Sequence, residues 1–323
     1  MSTEEVKHPC FSFQAKFKYG RVHLPVAPGC NMQCNYCDRK FDCVNESRPG
    51  VTSAVLSPQQ ALVYVKKIKQ IDKGKITVVG IAGPGDPFAN AEQTMETMRL
   101  IRKEFPELIF CLSTNGLEIG PYIDELADLN VSHITITVNG IDPVVLERIY
   151  SWVRYQKKMY RGMDAGRLVM EKQMEAIEMI KAKNLTLKIN SVILPGLNDW
   201  HIPEVARKMK EMKADIINCI PVYPNTNKFF DDVPKPSREL VADVRAQVSV
   251  FMPQMTHCAR CRADAVGLLG QEMEEAKSLL QECSSYTENS ESALYVAVAS
   301  HEGTWVRQKN CTSLKKWTEN MNW

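Results

Sequence analysis

The sequence alternates between short apolar runs and amphipathic segments over most of its length, and this alternation constrains the fold more than any other feature. Runs such as 76–82 (ITVVGIA) are apolar throughout, as expected for strands buried on both faces of a sheet. The intervening segments repeat apolar residues at helical spacing. Strand–helix alternation predicts a parallel α/β sheet, open or curled into a partial barrel. The predicted strands are 21–26, 76–82, 108–113, 133–138, 185–194 and 216–221.

Charge and composition exclude several functional classes. The chain has 40 Lys and Arg residues against 38 Asp and Glu, a formal net charge of +2 that is too small for a phosphate-tracking surface. The first ten residues are polar, and no apolar stretch approaches the ~18 residues of a membrane-spanning helix. We therefore expect a cytoplasmic protein with neither nucleic acid nor a membrane as partner.

Cysteine usage points to metal or catalytic chemistry. The chain contains 11 cysteines and shows no export signal, and cytosolic thiols are kept reduced. Cys30, Cys34 and Cys37 form a Cx3Cx2C run that chance produces in roughly one of a hundred chains of this composition. Three thiolates on one tight loop hold three irons of a 4Fe-4S cube and leave the fourth iron open for a small molecule. Structural zinc and ordinary buried cysteines are the alternatives.

Three turn-forming segments follow predicted strands. They are 83–86 (GPGD) after the second strand, 113–116 (STNG) after the third and 194–199 (LPGLND) after the fifth. Each alone is ordinary turn chemistry. Because the strand ends of a parallel barrel meet at one mouth, where ligands bind, the three segments together predict a shared ligand site.

The Cx3Cx2C run, with Tyr36 before its last cysteine, resembles the signature of the radical S-adenosylmethionine (SAM) enzymes. The resemblance implies a partial (β/α)6 barrel of the radical SAM type with N- and C-terminal cluster-binding extensions. It also implies an enzyme whose open iron chelates SAM and whose 4Fe-4S cluster cleaves SAM to a 5'-deoxyadenosyl radical. Segment 83–86 resembles the glycine-rich loop of that family. The cofactor-binding residues implied are Tyr36, Gly83, Gly85, Asp86, Ser113 and Asn115.

Longer strings narrow the match. In order along the chain, 8–10 (HPC), 26–28 (VAP), 45–51 (NESRPGV), 82–86 (AGPGD) and 258–265 (CARCRADA) resemble the NifB family of nitrogenase cofactor maturases. That resemblance implies a nitrogen-fixation enzyme of lyase or transferase type that takes two further 4Fe-4S clusters as substrate. It fuses them, with a SAM-derived carbide, into the eight-iron precursor of the nitrogenase cofactor. The implied partners are a reductant such as ferredoxin or flavodoxin and the scaffold or carrier proteins that accept the product.

The same resemblance implies metal ligands beyond the triad of Cys30, Cys34 and Cys37. A lone strand histidine is by itself more often a core imidazole, and a CxxC pair also occurs in zinc and redox sites. His8 is an alternative nitrogen donor. The expected ligand sets are Cys10, His23 and Cys43 for one substrate cluster, and Cys111, Cys258 and Cys261 for the other.

Two charged residues of the NESRPGV string are the expected catalytic residues. Glu46 is interpreted as a proton-handling carboxylate beside the clusters, and Arg48 as its charge partner. The alternative is a solvated surface pair.

Three segments lie outside the regular alternation. Segment 151–166 is basic and aromatic without clean periodicity and is expected to be a long loop or lid, or a solvated basic connection. Segment 284–292 (SSYTENSES) is polar, as in a linker, and 293–304 resembles only the first strand and turn of a NifX-like carrier domain. We therefore expect a radical SAM core with cluster-binding extensions over 1–283, and over 284–323 a linker with a short tail that lacks a carrier domain.

Two other functions fit parts of the sequence. A radical SAM enzyme that modifies peptides would use Cys258 and Cys261 for a permanent auxiliary cluster, although such enzymes usually have more cysteines in the C-terminal third than this chain has. A non-catalytic iron-sulfur carrier needs neither an open-iron triad nor the glycine-rich loop. The cluster-fusing maturase therefore ranks first.

Overall fold

The computed structural model describes residues 7–46, 50–223 and 233–287, together with the backbone of two strands at 295–299 and 305–309. Nowhere in these ranges is a helix both long enough and apolar enough to cross a membrane. The helices are α1 (Pro58–Ile71), α2 (Ala91–Glu104), α3 (Ile123–Asp128), α4 (Pro143–Ile149), α5 (Gly162–Ala182), α6 (Ile202–Glu211), α7 (Arg238–Ser249) and α8 (Glu275–Ser284).

The strands confirm the predicted alternation. In chain order they are β1 (Gly20–His23), β2 (Met32–Cys34), β3 (Ile76–Ile81), β4 (Ile109–Thr114), β5 (Val131–Thr137), β6 (Tyr150–Tyr155), β7 (Lys158–Tyr160), β8 (Thr186–Ile193), β9 (Ile216–Pro221), β10 (Val266–Leu268), β11 (Gln271–Glu272), β12 (Tyr295–Ala299) and β13 (Trp305–Lys309). The last two pair with each other in antiparallel fashion.

One large sheet has the strand order β11-β10-β1-β3-β4-β5-β8-β9. The contiguous strands from β1 to β9 in this order are all parallel, whereas β10 joins β1 in antiparallel fashion. This topology confirms the predicted α/β class, a partial (β/α)6 barrel. Strand β10 also attaches the segment that follows the CxxC pair to the first barrel strand.

Helix α1 shows how local sequence determines the elements around the sheet. The Ser57 hydroxyl accepts the Gln60 backbone N–H at 3.3 Å, and the Gln60 side chain accepts the Ser57 N–H at 2.8 Å, a complete capping box. Its apolar face buries Tyr64, Val65 and Ile68 in the main core. The sequence signal and the packing therefore agree.

The barrel interior is unusually polar. Ile134 and Ile136 of β5 pack in the main core, while Thr135 between them lines an internal cavity. Lys188 and Asn190 of β8 line the same cavity. Because side chains alternate across a strand, these residues occupy the inward face, where branched apolar residues fill most barrels. The interior is therefore built to hold a ligand.

Segment 151–166 is not the long loop or lid that its composition suggests. It contains most of strand β6, all of β7 and the first turn of α5. The hairpin turns at Gln156 and Lys157, which have φ of 49° and 63°, a conformation usually marked by Gly or Asn. Because neither turn residue is Gly or Asn, the sequence does not predict the hairpin. Strand β6 pairs with β2, so the hairpin supports the cysteine-rich loop.

The predicted boundary after residue 283 falls inside α8. Cys283 is fully buried, and Lys67 forms an ion pair of 3.0 Å with Glu282. The Gln60 side-chain amide donates to the backbone oxygens of Ser284 and Tyr286 at 2.8 and 2.9 Å. The packed unit therefore extends at least to residue 286.

His201 makes the stability of the metal-free protein dependent on pH. It accepts the Ile141 backbone N–H at Nε2 (3.1 Å), and burial lowers its pKa. The unfolded chain therefore takes up a proton at about pH 6.5 that the folded state resists. We expect the free energy of unfolding to be highest above pH 6.5 and to fall as pH drops from 7.5 to 5.5, measured by urea denaturation.

The matched variant is His201→Gln, whose amide oxygen accepts the same N–H without titrating. It should reduce the pH slope. An unchanged slope would show that His201 titrates alike in both states. The slope would then belong to the other histidines whose pKa values burial lowers, which are His8, His23, His133 and His257.

Candidate active site

The cysteine triad lies on a loop fixed by strand pairing and by one glutamine. Cys34 ends β2 and pairs with Tyr150 of β6. The Gln33 amide donates to the backbone oxygens of Cys34 and Cys37 at 2.9 and 2.8 Å. The loop conformation therefore depends on these backbone hydrogen bonds.

A first pocket lies against this loop, and the three triad cysteines line it. Burial raises the pKa of Cys30 to about 11 and raises those of Cys34 and Cys37 as well. Among the described residues, no group of three His, Cys, Asp or Glu side chains is arranged to hold a single metal ion. Soft sulfur donors spaced around a pocket fit an iron-sulfur cluster, which would bind with release of the thiol protons. The remaining lining residues are Met32, Arg39, Phe41, Cys43, Asn45, Glu46, Pro84, Gly85, Asp86 and Asn115.

Two amides approach the triad sulfurs. Asn45 Nδ2 lies 3.8 Å from Cys34 Sγ, and Asn115 Nδ2 lies 3.9 Å from Cys30 Sγ. Such N–H contacts to sulfur stabilise thiolate charge and raise the potential of a bound cluster. Neither asparagine is predicted for this role from sequence.

The glycine-rich loop packs directly on the triad loop. The Gly85 N–H donates to Ala27 O at 2.6 Å, and the Asp86 N–H donates to Gly29 O at 2.7 Å. A Cβ atom on Gly85 would stand 1.9 Å from Gly29 O, so only glycine fits. The two loops therefore form one rigid wall.

Asp86 locks this wall to the end of β4. Its carboxylate accepts the backbone N–H groups of Phe88 (2.9 Å) and Asn115 (2.7 Å) and the Thr114 hydroxyl (2.9 Å). These three hydrogen bonds occupy the carboxylate, although burial raises its pKa. Asp86 thus lines the first pocket mainly as a brace.

A second pocket occupies the barrel interior. It contains both cysteines of the CxxC pair, but the structure divides one predicted ligand set. Cys10 and His23 line this second pocket, whereas Cys43 lines the first pocket beside the triad. The cysteine and histidine residues gathered in the second pocket are Cys10, His23, Cys111, Cys258 and Cys261.

His23 is oriented as a ligand would be. Its Nδ1 lies 2.9 Å from Arg262 O, and since a carbonyl only accepts, Nδ1 carries the proton and Nε2 keeps its lone pair. Burial lowers the His23 pKa to about 4, which keeps the ring neutral. In contrast, Nδ1 of His8 accepts the Cys10 N–H at 3.1 Å, so its proton resides on Nε2. The geometry therefore favours His23 as the nitrogen donor.

Two arginines position the CxxC pair. Arg21, fully buried on β1, reaches Cys261 Sγ at 3.0 Å and Gly267 O at 2.6 Å. Arg260 donates to Pro221 O and Val44 O, both at 2.8 Å. The thiols therefore face the barrel because their loop is attached to β1, to the end of β9 and to the segment beside Cys43.

Glu46 lines both pockets. Its carboxylate accepts the Thr137 hydroxyl at 2.5 Å, the Asn190 amide at 3.0 Å and the Ser113 hydroxyl. Burial raises its pKa. Glu46 is therefore no surface residue, and Arg48, its predicted partner, lies outside the described residues.

Three other predicted cofactor residues lie away from the first pocket wall. The Tyr36 hydroxyl donates to Asn45 Oδ1 (2.6 Å) and accepts from Asn139 Nδ2 (2.7 Å) beneath the triad loop. A Cβ atom on Gly83 would stand 3.2 Å from the Ala263 side chain. Ser113 lines the second pocket. Tyr36 and Gly83 therefore support the first pocket from behind, and Ser113 belongs to the second pocket.

A parallel barrel with a cysteine triad at its mouth and a thiol-lined interior defines the class as a radical SAM enzyme. The model of the radical SAM superfamily matches residues 24–209. The fold is also shared with the crystal structure of Streptococcus suis SuiB bound to S-adenosylmethionine, with a TM-score of 0.50 at 13% identity over 73% of this chain and 47% of that one.

Relatives of curated function narrow the family assignment further. The FeMo cofactor biosynthesis protein NifB of Chlorobaculum tepidum is 52% identical over 93% of this chain and 71% of its own length. Those of Klebsiella pneumoniae and Methanocaldococcus infernus are 45% and 44% identical over 82% and 85% of this chain, and the matches cover 57% and 88% of their own lengths. The chain belongs to the NifB family of radical SAM enzymes, whose cofactors are a 4Fe-4S cluster and SAM, and this confirms the resemblance noted in the sequence.

Replacing Gly85 by Ala should break the wall between the two loops. The added Cβ collides with the Gly29 carbonyl, so the free energy of unfolding should fall by roughly 3 kcal/mol or more. Urea denaturation of the metal-free protein measures this. Gly120→Ala is the control, since its Cβ meets only Met179 Sδ at 3.8 Å and should change stability by less than about 0.5 kcal/mol. If both variants lowered the free energy of unfolding equally, the close approach of Gly85 to Gly29 would not be the cause.

Proposed function

We propose that this chain fuses two 4Fe-4S clusters and inserts a SAM-derived carbide, forming the eight-iron precursor of the nitrogenase cofactor. The observation that supports this most strongly is the pair of thiol-lined pockets in one barrel, which share the Glu46 side chain. A reaction that carries a group from SAM to a second cluster needs two such sites side by side. The name of the relatives, FeMo cofactor biosynthesis protein, supports the same assignment.

In this proposal the first pocket is the SAM site. Cys30, Cys34 and Cys37 hold the resident cluster, which, when bound, supplies the electron that cleaves SAM. Gly85 and Asn115 lie on the pocket wall and would contact SAM, while Asp86 keeps the wall rigid. Tyr36 and Gly83 act from behind the wall.

The second pocket is the proposed substrate site. Cys258, Cys261 and Cys111 are the expected ligands of one cluster, and Cys10 with His23 those of another. Cys43, on the first pocket wall, is available to a cluster that approaches the triad. Few ligands per cluster suit a fusion enzyme, since a fully ligated product would be trapped.

Glu46 is the proposed proton-handling group because its carboxylate lies where the two pockets meet. Three neutral donors orient it, and no other carboxylate lines both pockets among the described residues. Arg48 is retained as its proposed charge partner. The proposed protein partners are a reductant such as ferredoxin or flavodoxin and the scaffold or carrier proteins that accept the product.

Replacing Cys34 by Ala should abolish SAM cleavage, because two remaining triad thiolates cannot hold the resident cluster. The measurement is 5'-deoxyadenosine formation by the reconstituted protein under dithionite. Cys219→Ala, which alters a core cysteine that lines neither pocket, should retain it. SAM cleavage by the Cys34 variant would contradict the triad assignment.

Replacing Cys258 and Cys261 together by Ala should lower bound iron by about four atoms while leaving SAM cleavage in place, since the two pockets have separate ligands. Iron analysis and EPR after anaerobic reconstitution measure this. Unchanged iron content would overturn the substrate-site assignment. A cluster that survives SAM turnover in the wild-type protein would instead indicate a permanent auxiliary cluster, as in peptide-modifying enzymes.

A further inference from the structure

Lys188 is a buried lysine that the site described so far does not use. It lies near the middle of β8, in register with Thr135 of β5, and only 8% of its surface is exposed. Its side chain lines the second pocket together with four thiols and His23. A charged side chain inside a barrel is costly unless something compensates it.

The other charged groups of this pocket are already occupied. Arg260 donates to two backbone oxygens. Glu46 attracts the Lys188 charge across the pocket, but the hydrogen bonds to its carboxylate come from three neutral donors. The Lys188 ammonium lies 5.5 Å from the Phe11 ring centroid, and it forms no hydrogen bond or ion pair with any residue that the structure describes. It is therefore the cation available to an occupant of the pocket.

A second observation marks the same place as a binding site. Thr135 Oγ1, Asn190 Oδ1 and Asn218 Oδ1 are buried without a hydrogen-bond partner, and all three residues line this pocket. Buried polar atoms are nearly always paired in folded proteins. Orphaned polar atoms next to an unpaired ammonium indicate a surface completed by a ligand.

The thiols around Lys188 identify the chemistry of that ligand. Cys10, Cys111, Cys258 and Cys261 line the same pocket as the Lys188 ammonium. Soft sulfur donors of this kind are the ligands of iron-sulfur clusters. A cubane core of formal charge two plus that is ligated by three thiolates is itself a net anion with sulfide acceptors.

We propose that Lys188 is a specificity-determining residue that selects the anionic iron-sulfur cluster expected on Cys111, Cys258 and Cys261, compensates its charge and donates to a cluster sulfide. This inference rests on the proposed substrate site. A neutral side chain at this position would leave the buried cluster charge uncompensated. The reduced cluster carries one more negative charge and would be destabilised most.

The test compares Lys188→Met, which keeps the length and removes the charge, with Lys188→Arg, which keeps the charge. Lys172→Met on α5 is the charge-matched control, because its side chain pairs with Glu175 outside the pocket. After anaerobic reconstitution, Lys188→Met should lose second-pocket iron to a chelator several-fold faster than wild type. In an EPR-monitored redox titration, the second-pocket cluster that Lys188→Met retains should have a more negative potential than in wild type. Lys188→Arg should restore both the iron retention and the potential.

Stability of the metal-free protein separates a binding role from a structural one. Because Lys188→Met removes a buried, unpaired charge, its urea midpoint should equal or exceed that of wild type. A lower midpoint with parallel iron loss would make Lys188 structural and overturn the inference. Unchanged iron retention and potential would also overturn it. These outcomes are independent of the proposed function, which fails instead if the Cys258 and Cys261 double variant keeps all its iron.

Discussion

The site depends on the close approach of two loops at the barrel mouth. Gly85 reaches the Gly29 carbonyl at a distance that admits no side chain, and Asp86 ties the same loop to the end of β4. The triad loop is held on its other side by the pairing of β2 with β6. The positions of the triad cysteines therefore depend on backbone contacts and on one braced carboxylate.

The polar interior is the second determinant of function. Ordinary barrels fill this space with branched apolar side chains, whereas here the inward positions of β5, β8 and β9 carry Thr135, Lys188, Asn190 and Asn218. Stability is supplied by the outward faces of the same strands, where Ile134, Ile136 and Leu187 pack in the main core. The division lets the barrel keep a charged, partly unpaired cavity, as functional sites do at a cost in stability.

Much of this could be predicted from sequence, for identifiable reasons. The strand–helix alternation, the capping box of α1 and the Cx3Cx2C run are local patterns, and the structure and the family relationship confirm the fold and the enzyme class. The inward polar residues had a readable signal, since Thr135 and Thr137, like Lys188 and Asn190, recur at a spacing of two with an isoleucine between them. The hairpin after β6 had none, because its turn uses Gln156 and Lys157 at positive φ.

The sequence by itself determined the class of fold, the position of the cysteine triad and the family. Each of these depends on residues that lie close together along the chain. Only the tertiary structure decided which distant residues share a pocket. Cys10 and His23 join the CxxC pair while Cys43 stays with the triad, since β10 pairs with β1 and Arg21 reaches across to Cys261. Likewise Glu46 meets Ser113, Thr137 and Asn190 only because β4, β5 and β8 are neighbours in the sheet. Such contacts are set by strand order and register, which spacing along the chain does not encode.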